Sequence, residues 1–498
     1  MRARQPNAPT PAADSPRPLT RNGSANEVPI VEINCPSGDG NTGRRRLRRR
    51  QSRHATNVTL VAAALAAAIA IAGCDSAPRS TESPGPTGGQ TESTLGASLS
   101  PTVGPSAAAV SPTVAEIARL TAAVDADPKD ADAQRDLGLA LVQRVRETAD
   151  PSLYAPAMAA FEAALAVQPD DPLALVGVAG VQLGKHEFAA ALDTAGKAIS
   201  LSPTLVSAHA AKVDALVELG RYEDAAFAAG EMLGLSVDLT TLARVSYLAE
   251  LNGELPVAVA GMRRAADSPG LAPENTAYVQ ALLGNLLVYS GDPAAAGRAY
   301  DAALALVPDH APSLAGLGRL AVGAGRLDEA IARFERAAAV VPLPEYVIAL
   351  GDAQSASGDD AAATRSYELA RALIQLSKAA GVIVDVDLAL LEADQGDPEA
   401  ALGYATAAYA ATPTVRAADA VAWALHRLGR DSQAAEFVAE ALRLGSIDPI
   451  LRYHAGAIQA ALGDTKAARR NLELALEIDP GFSAVGAAEA RRLLDTLP

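Results

Sequence analysis

The sequence predicts an all-α fold, an α-solenoid of about ten helix pairs with a capping helix at each end. The chain is 49% hydrophobic but only 4% aromatic, and much of its apolar content is Ala, which forms helices best and fills little volume. From about residue 114 one pattern of apolar and small residues recurs. Gly and Pro punctuate this pattern at near-constant intervals, and Pro169 and Pro203 are 34 residues apart. Repetition at such a period is typical of stacked helical units.

Ahead of the repeats, residues 1–43 are rich in Pro, Asn, Ser and Gly, and they show no apolar period. A segment of this composition has too little apolar surface to form a packed core. We therefore predict that residues 1–43 are a disordered extension.

The next segment, residues 44–74, has the layout of a secretory signal. It begins with a dense basic run: Arg44, Arg45, Arg46, Arg48, Arg49, Arg50 and Arg53. An apolar stretch then covers residues 60–73, and small residues precede Cys74. Positive charge, a short apolar core and small residues at the cleavage site define such signals. A stretch of fourteen residues is also short for a membrane-spanning helix, which needs about 20.

The tetrad formed by Ile71, Ala72, Gly73 and Cys74 resembles the lipobox of bacterial lipoproteins. In that family the cysteine receives a diacylglycerol and becomes the first residue of the mature protein. The resemblance therefore implies a lipid anchor at Cys74 and a location in the cell envelope, on the outer side of the cytoplasmic membrane. Residues 75–112 are mostly Ser, Thr, Pro, Gly and Ala, the composition of a flexible linker.

One feature of the N-terminus leaves alternatives open, because about 43 residues precede the basic run. The true start of translation could lie nearer Val28, Val31 or Leu47. Otherwise the first residues form a cytoplasmic tail before an uncleaved single-pass anchor. A third alternative is an Ala-rich helix with no role in targeting.

Charge is distributed unevenly along the chain. Residues 1–73 contain eleven Arg, no Lys and four acidic residues, a net charge of 11 − 4 = +7, so the remainder carries −16 − 7 = −23. A domain this acidic repels the phosphate backbone, and we expect no binding to nucleic acid. The part after Cys74 contains no cysteine, which excludes disulfides and thiolate zinc sites there.

The clearest copy of the repeat covers residues 311–342. Its first half places apolar or small residues at i, i+3, i+4 and i+7: Leu314, Leu317, Gly318 and Ala321. Its second half continues after Gly325 with a second set: Leu327, Ala330, Phe334 and Ala337. Such spacing puts each set on one face of a helix. The small residues let two antiparallel helices approach closely, and Pro342 ends the second helix.

This spacing resembles the tetratricopeptide repeat, a helix pair with a 34-residue period. Other copies combine a Gly, an Ala and a larger residue at matching intervals: Gly284, Ala296 and Tyr300; Gly351, Ala363 and Tyr367; Gly456, Ala468 and Leu472. Weaker copies centre on Gly220, Gly253, Gly396 and Gly429. We count about ten full repeats in residues 113–498, with a lone second helix near Leu120 and a closing helix over residues 484–497.

The register is not uniform. The first copy contains about seven extra residues between Gly138 and Tyr154, around residues 233–239 the closing Pro is missing, and around residues 373–386 a second helix overruns. The last two irregularities indicate either bends between subdomains or a longer helix in a continuous solenoid.

Family resemblance implies a function for the array. In tetratricopeptide proteins the first helix of each pair lines a concave face that holds an extended peptide or a partner helix. We therefore expect a non-enzymatic protein–protein interaction scaffold, exported and membrane-tethered. The alternative is a solute- or peptide-capturing lipoprotein of an envelope transport or sensing system. A deep pocket lined by aromatic residues would favour the alternative, and the scarcity of aromatic residues favours the scaffold.

The best-known site of the family is a basic, Asn-rich clamp for a C-terminal carboxylate. Of the first-helix positions that carry it, only those of Asn285 and Arg319 contain suitable residues, and no Lys is present there. A clamp of that type is not expected, although both residues remain candidates for binding a partner. The other candidates on the concave face are Tyr247, Tyr278, Tyr289, Trp423, Arg427 and Tyr453. Ordinary packing between repeats is the alternative role for these side chains.

Within that set we place the partner near Trp423, Arg427 and Tyr453. An aromatic pair flanked by a guanidinium offers apolar area together with a fork for a carboxylate or a carbonyl. The alternative is that Trp423 fills the seam between two repeats.

Enzymatic function is not predicted, and neither is a catalytic, cofactor or metal site. The sequence lacks the phosphate-binding G-x-x-x-x-G-K-[ST] loop, the G-x-S-x-G elbow and the H-E-x-x-H zinc motif. Its six His residues are never spaced as metal ligands.

Overall fold

The computed structural model describes residues 111–268, 273–445 and 447–498, which contain 22 α-helices and no β-strand. Cys74, the signal-like segment, residues 1–43 and most of the linker lie outside the described residues. The first eleven helices are α1 (Pro112–Ala126), α2 (Ala131–Thr148), α3 (Tyr154–Val167), α4 (Pro172–Gly184), α5 (Phe188–Leu201), α6 (Val206–Glu218), α7 (Tyr222–Leu235), α8 (Leu239–Leu251), α9 (Leu255–Ala266), α10 (Pro273–Tyr289) and α11 (Pro293–Leu306).

The second half continues in the same manner. Its helices are α12 (Ala311–Gly323), α13 (Leu327–Val340), α14 (Pro344–Ser357), α15 (Asp360–Ala379), α16 (Asp385–Gln395), α17 (Pro398–Ala411), α18 (Val415–Arg427), α19 (Asp431–Ala441), α20 (Pro449–Ala461), α21 (Thr465–Ile478) and α22 (Ala484–Thr496). Ten pairs run from α2/α3 to α20/α21, with α1 and α22 at the ends. The predicted all-α solenoid of helix pairs with capping helices is confirmed.

In five of the ten pairs an aromatic or large apolar side chain of the second helix fills the space above a glycine of the first. Phe334 of α13 is buried, and a Cβ atom on Gly318 of α12 would lie 2.7 Å from its ring. Tyr300 is enclosed from two sides, because Cβ atoms on Gly284 and on Gly316 would each lie 2.4 Å from its ring. Burial of an aromatic side chain in such a site is worth about 3–5 kcal/mol relative to Ala.

Helix ends are defined by local chemistry. Asp side chains accept hydrogen bonds from backbone N–H groups at the start of eight helices: Asp130, Asp171, Asp238, Asp292, Asp359, Asp397, Asp448 and Asp464. Each such cap is worth about 1 kcal/mol. Between the helices of nine of the ten pairs the chain turns through a left-handed residue, which is Gly325 in the clearest copy, with φ of 72°.

The irregular repeats have direct structural explanations. The extra residues of the first copy lengthen α2 to 18 residues and add a short 3₁₀ turn, Pro151–Leu153. The overrun in the second half is a 20-residue helix, α15. Near residue 236 a short connection joins α7 directly to α8.

Turns within early pairs contact junctions between later pairs, and we call these contacts the inter-turn seam. The Ile383 N–H donates to the Lys185 carbonyl at 3.2 Å, and His186 Nδ1 lies 2.5 Å from the Ile383 carbonyl oxygen. Further along, the Val415 N–H donates to the Tyr222 hydroxyl at 3.3 Å, across 193 residues of sequence.

A third part of the seam joins the end of α12 to the junction before α22. A Cβ atom on Gly481 would lie 2.1 Å from the Arg319 carbonyl oxygen, so only glycine permits this approach of two backbones. Beside it, the Ser483 hydroxyl donates to Asp352 at 2.8 Å. The seam therefore brings the first helices of early and late repeats around one interior.

Candidate partner-binding interior

Side chains from the first helices of many pairs converge on that interior. We call this group the central cluster: Glu218, Tyr247, Glu250, Tyr278, Tyr289, Arg319, Glu345, Tyr346, Asp387, Arg416 and Asp448. Glu218 of α6 interacts electrostatically with Arg416 of α18, and Tyr278 of α10 with Glu345 of α14. These interactions link repeats that are far apart in sequence, so the cluster belongs to a shared interior and not to one repeat.

Solvent reaches part of the central cluster. Glu345 is exposed, and the side chains of Asp387 and Arg416 each retain 28% of their accessible surface. By contrast Glu250, Tyr289 and Tyr346 are buried. The interior is therefore open to water at some positions and closely packed at others.

Two arginines of the interior already have carboxylate partners. Arg244, which is almost fully buried, donates to Asp214 through two nitrogens at 2.9 and 2.5 Å. Arg416 lies 2.5 Å from Asp387. Paired, hydrogen-bonded guanidinium groups of this kind are the ones that a protein interior tolerates.

Burial changes the protonation of the remaining carboxyl groups. It raises the pKa of Glu218 to about 8, against the opposing effect of Arg416, and Asp214 and Asp387 add to the rise. Burial also raises the pKa of Glu250 to about 8 and that of Asp448 to about 7. Removing a carboxylate from water disfavours its charged form, so these groups retain protons near neutral pH.

Three predicted tyrosines belong to the central cluster. Tyr247 and Tyr278 are half-buried, and Tyr289 is buried beside Arg319. The Tyr247 hydroxyl is buried and has no hydrogen-bond partner among the described residues. That these tyrosines contact a partner remains a prediction.

The predicted pair Asn285 and Arg319 forms a polar network between adjacent repeats. The Arg319 guanidinium donates to the Asn285 side-chain oxygen, which also accepts from the Tyr300 hydroxyl at 2.7 Å. Arg319 lies 3.9 Å from Asp479 as well. The two residues therefore connect α10, α12 and the end of α21, and Asn285 already accepts two hydrogen bonds.

The structure places Trp423 in the core, in agreement with the packing alternative for this residue. Its side chain is 2% exposed, stacks on His454 at 3.9 Å and donates to Asp394 at 2.8 Å. Tyr453 is also buried, with its ring 5.4 Å from that of Trp423. These contacts fill the space between the adjacent first helices α18 and α20, and they leave little of either ring exposed to a partner.

Arg427 is likewise engaged within the array. Its Nε donates to the Ala393 carbonyl at 2.9 Å, and its guanidinium lies 5.8 Å from the centre of the Trp423 ring. The guanidinium group that we predicted to bind a carboxylate or carbonyl of a partner is thus used in part to join α18 to α16.

Apart from Arg319, sequence reasoning missed the charged members of the central cluster. Glu345 and Arg416 lie at the start of first helices, whereas Glu218 and Glu250 lie near the ends of theirs. Positions near the start and near the end of a first helix can share one face of that helix. A comparison of equivalent positions in all first helices would therefore have selected these residues. Their convergence, however, depends on the seam.

Two absences concern the described residues alone. None of their helices combines the length and the apolar character required to cross a membrane. Over the same part of the chain, no group of His, Cys, Asp and Glu is arranged to hold a metal ion.

Comparison with known proteins identifies the repeat. Models of the tetratricopeptide repeat match residues 287–353, 386–449 and 451–482. No curated protein sequence shows significant similarity to the chain.

Among solved structures, the yeast Tom70 is similar at 12% identity over 74% of this chain and 96% of its own, with a TM-score of 0.32. Human IFIT1, a dimer with PPP-AAAA, shows 15% identity over 66% of this chain and 77% of its own, with a TM-score of 0.42. YrrB, described as a TPR protein with an unusual peptide-binding site, shows 17% identity over 36% of this chain and 91% of its own, with a TM-score of 0.26. Because three stretches match the repeat and the described helices stack as ten pairs, the chain is a tetratricopeptide-repeat protein.

Proposed function

We propose that this protein is a non-enzymatic interaction scaffold that holds a peptide segment of a partner protein in the interior lined by its first helices. The observation that carries the proposal is the central cluster, in which tyrosine and charged side chains of distant repeats face the same space. Repeat arrays use such continuous inner surfaces to bind extended partners. Tyrosines supply apolar area with a polar tip, and they are enriched where proteins bind one another.

Site-specific photo-crosslinking tests this proposal. A benzophenone amino acid at Glu345, which is exposed in the interior, should crosslink to a partner protein in intact cells. The same amino acid at Glu335, which is exposed on the second helix α13, serves as the matched control. Equal crosslinking from both positions, or crosslinking from position 335 alone, would contradict an interior binding site.

We further propose that the scaffold is exported and anchored to the outer side of the cytoplasmic membrane through a lipid on Cys74. The support is the basic run, the short apolar stretch and the small residues in front of the cysteine. The full chain and Cys74→Ala should be expressed in a lipoprotein-competent bacterium and fractionated. If both proteins are equally membrane-bound and have the unprocessed mass, the lipid anchor is refuted in favour of an uncleaved anchor.

A second candidate function is capture of a small solute or free peptide for an envelope transport or sensing system. It is favoured by the closely packed, tyrosine-lined interior, since Tyr247, Tyr278, Tyr289 and Tyr346 all belong to the central cluster. Native mass spectrometry of the purified full chain distinguishes the two functions. A captured solute adds a discrete small mass, whereas the scaffold yields a crosslinked partner protein and no such mass.

A further inference from the structure

Within the central cluster, Glu218, Tyr247 and Glu250 form a group that we call the acid–tyrosine site. Tyr247 and Glu250 lie one turn apart on α8, and Glu218 is the last residue of α6. The phenol of Tyr247 interacts electrostatically with both carboxyl groups. The site therefore combines two acids and one hydroxyl on neighbouring first helices.

The polar atoms of this site lack partners. Glu250 is only 8% exposed, yet in the described part of the chain neither it nor Glu218 forms an ion pair or a side-chain hydrogen bond. The Tyr247 hydroxyl is also buried and unbonded among those residues. Leaving a buried polar group without a partner is energetically unfavourable. A buried hydroxyl and two carboxyl groups without partners, on neighbouring first helices, match a ligand that supplies hydrogen-bond donors.

The surrounding charges favour a cation as that ligand. Six carboxyl groups face the interior: Asp214, Glu218, Glu250, Glu345, Asp387 and Asp448. Arg244 and Arg416 are paired with Asp214 and Asp387, and Arg452 interacts electrostatically with Asp448. A further guanidinium, that of Arg319, is hydrogen-bonded to Asn285. Among the described residues, Glu218 and Glu250 therefore remain without an ion-pair partner.

We propose that the acid–tyrosine site binds a lysine or arginine side chain of the partner segment, so that the scaffold selects a basic peptide. This inference rests on the proposed function and names the chemistry of the partner. An ammonium or guanidinium group carries several donors and accepts none, which matches two carboxyl groups and a phenol oxygen. The aromatic ring of Tyr247 adds an attraction for the cation.

Protonation supports the same assignment. The raised pKa of Glu218 follows from its burial and from Asp214 and Asp387, with Arg416 opposing. The raised pKa of Glu250 follows from its burial and from Asp448, with Arg319 opposing. A cation between them favours their charged forms, so binding should release protons and should strengthen as the pH rises.

Fluorescence polarisation with the full chain tests the inference. The probe is a short fluorescein-labelled peptide of alternating Lys and Ala, and the matched peptide has Gln in place of Lys. We expect the Lys peptide to bind at least about tenfold more tightly than the Gln peptide. Glu218→Gln and Glu250→Gln should each weaken the Lys peptide, whereas Glu162→Gln and Glu335→Gln, at exposed positions of second helices, should not.

A second variant separates binding from folding. Tyr247→Phe keeps the ring and removes only an unbonded hydroxyl, so it should fold normally and weaken binding of the Lys peptide. Equal affinity for the Lys and Gln peptides, or variants that bind like the unaltered chain, would overturn the inference. Competition by free spermidine at the affinity of the Lys peptide would also overturn it, in favour of a free polyamine. Crosslinking from position 345 tests the scaffold independently, so the scaffold stands if that crosslink forms while the Lys peptide fails.

Discussion

At the scale of single residues, the array depends on contacts between large side chains and glycines. Phe161 illustrates this, because Cβ atoms on Gly138 and Gly177 would lie 2.6 and 2.2 Å from its ring. One aromatic side chain thus joins its own helix pair to the next. Since protein interiors are close-packed, such a site tolerates neither loss of the ring nor added volume at the glycine.

Replacement of Gly318 should therefore destabilise the protein. In Gly318→Leu the new side chain collides with the buried ring of Phe334, and overpacking of this kind costs about 1–3 kcal/mol. Gly196→Leu is the matched control, because a Cβ atom there meets nothing within 4 Å. Urea denaturation should show a lower midpoint for Gly318→Leu and an unchanged or higher midpoint for Gly196→Leu. A Gly318→Leu midpoint equal to that of the parent would refute this packing.

The single tryptophan reports on the core. Because Trp423 is 2% exposed and stacks on His454, its emission should be blue-shifted and resistant to quenching by acrylamide in the unliganded protein. Emission near that of free tryptophan, with ready quenching, would show that the Trp423 side chain is exposed and available to contact a partner. Asp394→Asn keeps a hydrogen-bond acceptor for the indole and should leave the emission in place.

At the scale of helices and turns, the junctions between pairs also contact helices and turns that are distant in sequence. The junction before α22 approaches α12 so closely that its backbone meets the Arg319 carbonyl at Gly481. At the other end of the seam, His186 occupies a left-handed turn position with φ of 60° and contacts Ile383. Glycine usually stands at such positions, and a side chain there indicates that the turn has a specific contact to make.

Gly481→Ala should open the seam locally without unfolding the repeats. Its Cβ atom would lie 2.1 Å from a backbone oxygen and 2.7 Å from the Gly323 nitrogen, and neither atom can move aside as a flexible side chain would. Hydrogen exchange should accelerate at the end of α12 and in residues 479–484, while circular dichroism stays unchanged. Gly403→Ala, at an open position of α17, should change neither measurement. Equal exchange in the two variants would show that the seam does not hold these segments.

At the scale of the whole molecule, the seam encloses carboxyl groups that water would otherwise stabilise. In the folded protein the pKa values of Glu218 and Glu250 are raised to about 8 and that of Asp448 to about 7, and burial is the main cause. Burial lowers the pKa of His310 to about 4, which acts in the opposite sense at lower pH. Holding these carboxyl groups in the interior therefore costs the unliganded protein part of its free energy of unfolding.

This cost should appear as a dependence of stability on pH. Between about pH 5 and pH 8 the folded protein binds more protons than the unfolded chain, because its raised carboxyl groups remain protonated, so the free energy of unfolding falls as the pH rises. The melting temperature should decrease from about pH 6.5 to about pH 8.5. The double variant Glu218→Gln, Glu250→Gln should flatten this profile, and Glu162→Gln should not. A melting temperature that rises over this interval would contradict the burial of these carboxyl groups.

The sequence by itself determined the helix pairs. The copy over residues 311–342 predicts two helices, and the structure contains α12 and α13 there. The helices could be predicted because the spacing of glycine, alanine and aromatic residues reflects contacts within one repeat, and these contacts are local. The stretched first copy and the closing helix over residues 484–497 followed from the same short-range pattern.

Only the tertiary structure decided which helix faces of different repeats meet. Trp423 shares the first-helix face that sequence reasoning assigned to a partner, yet its ring is packed among His454 and Tyr453. Conversely, Glu218 and Arg416 look like unrelated surface charges in the sequence, and they interact across the interior. The physical reason is curvature: small rotations between neighbouring repeats accumulate along the array, and no single repeat encodes where that sum brings two distant helices together.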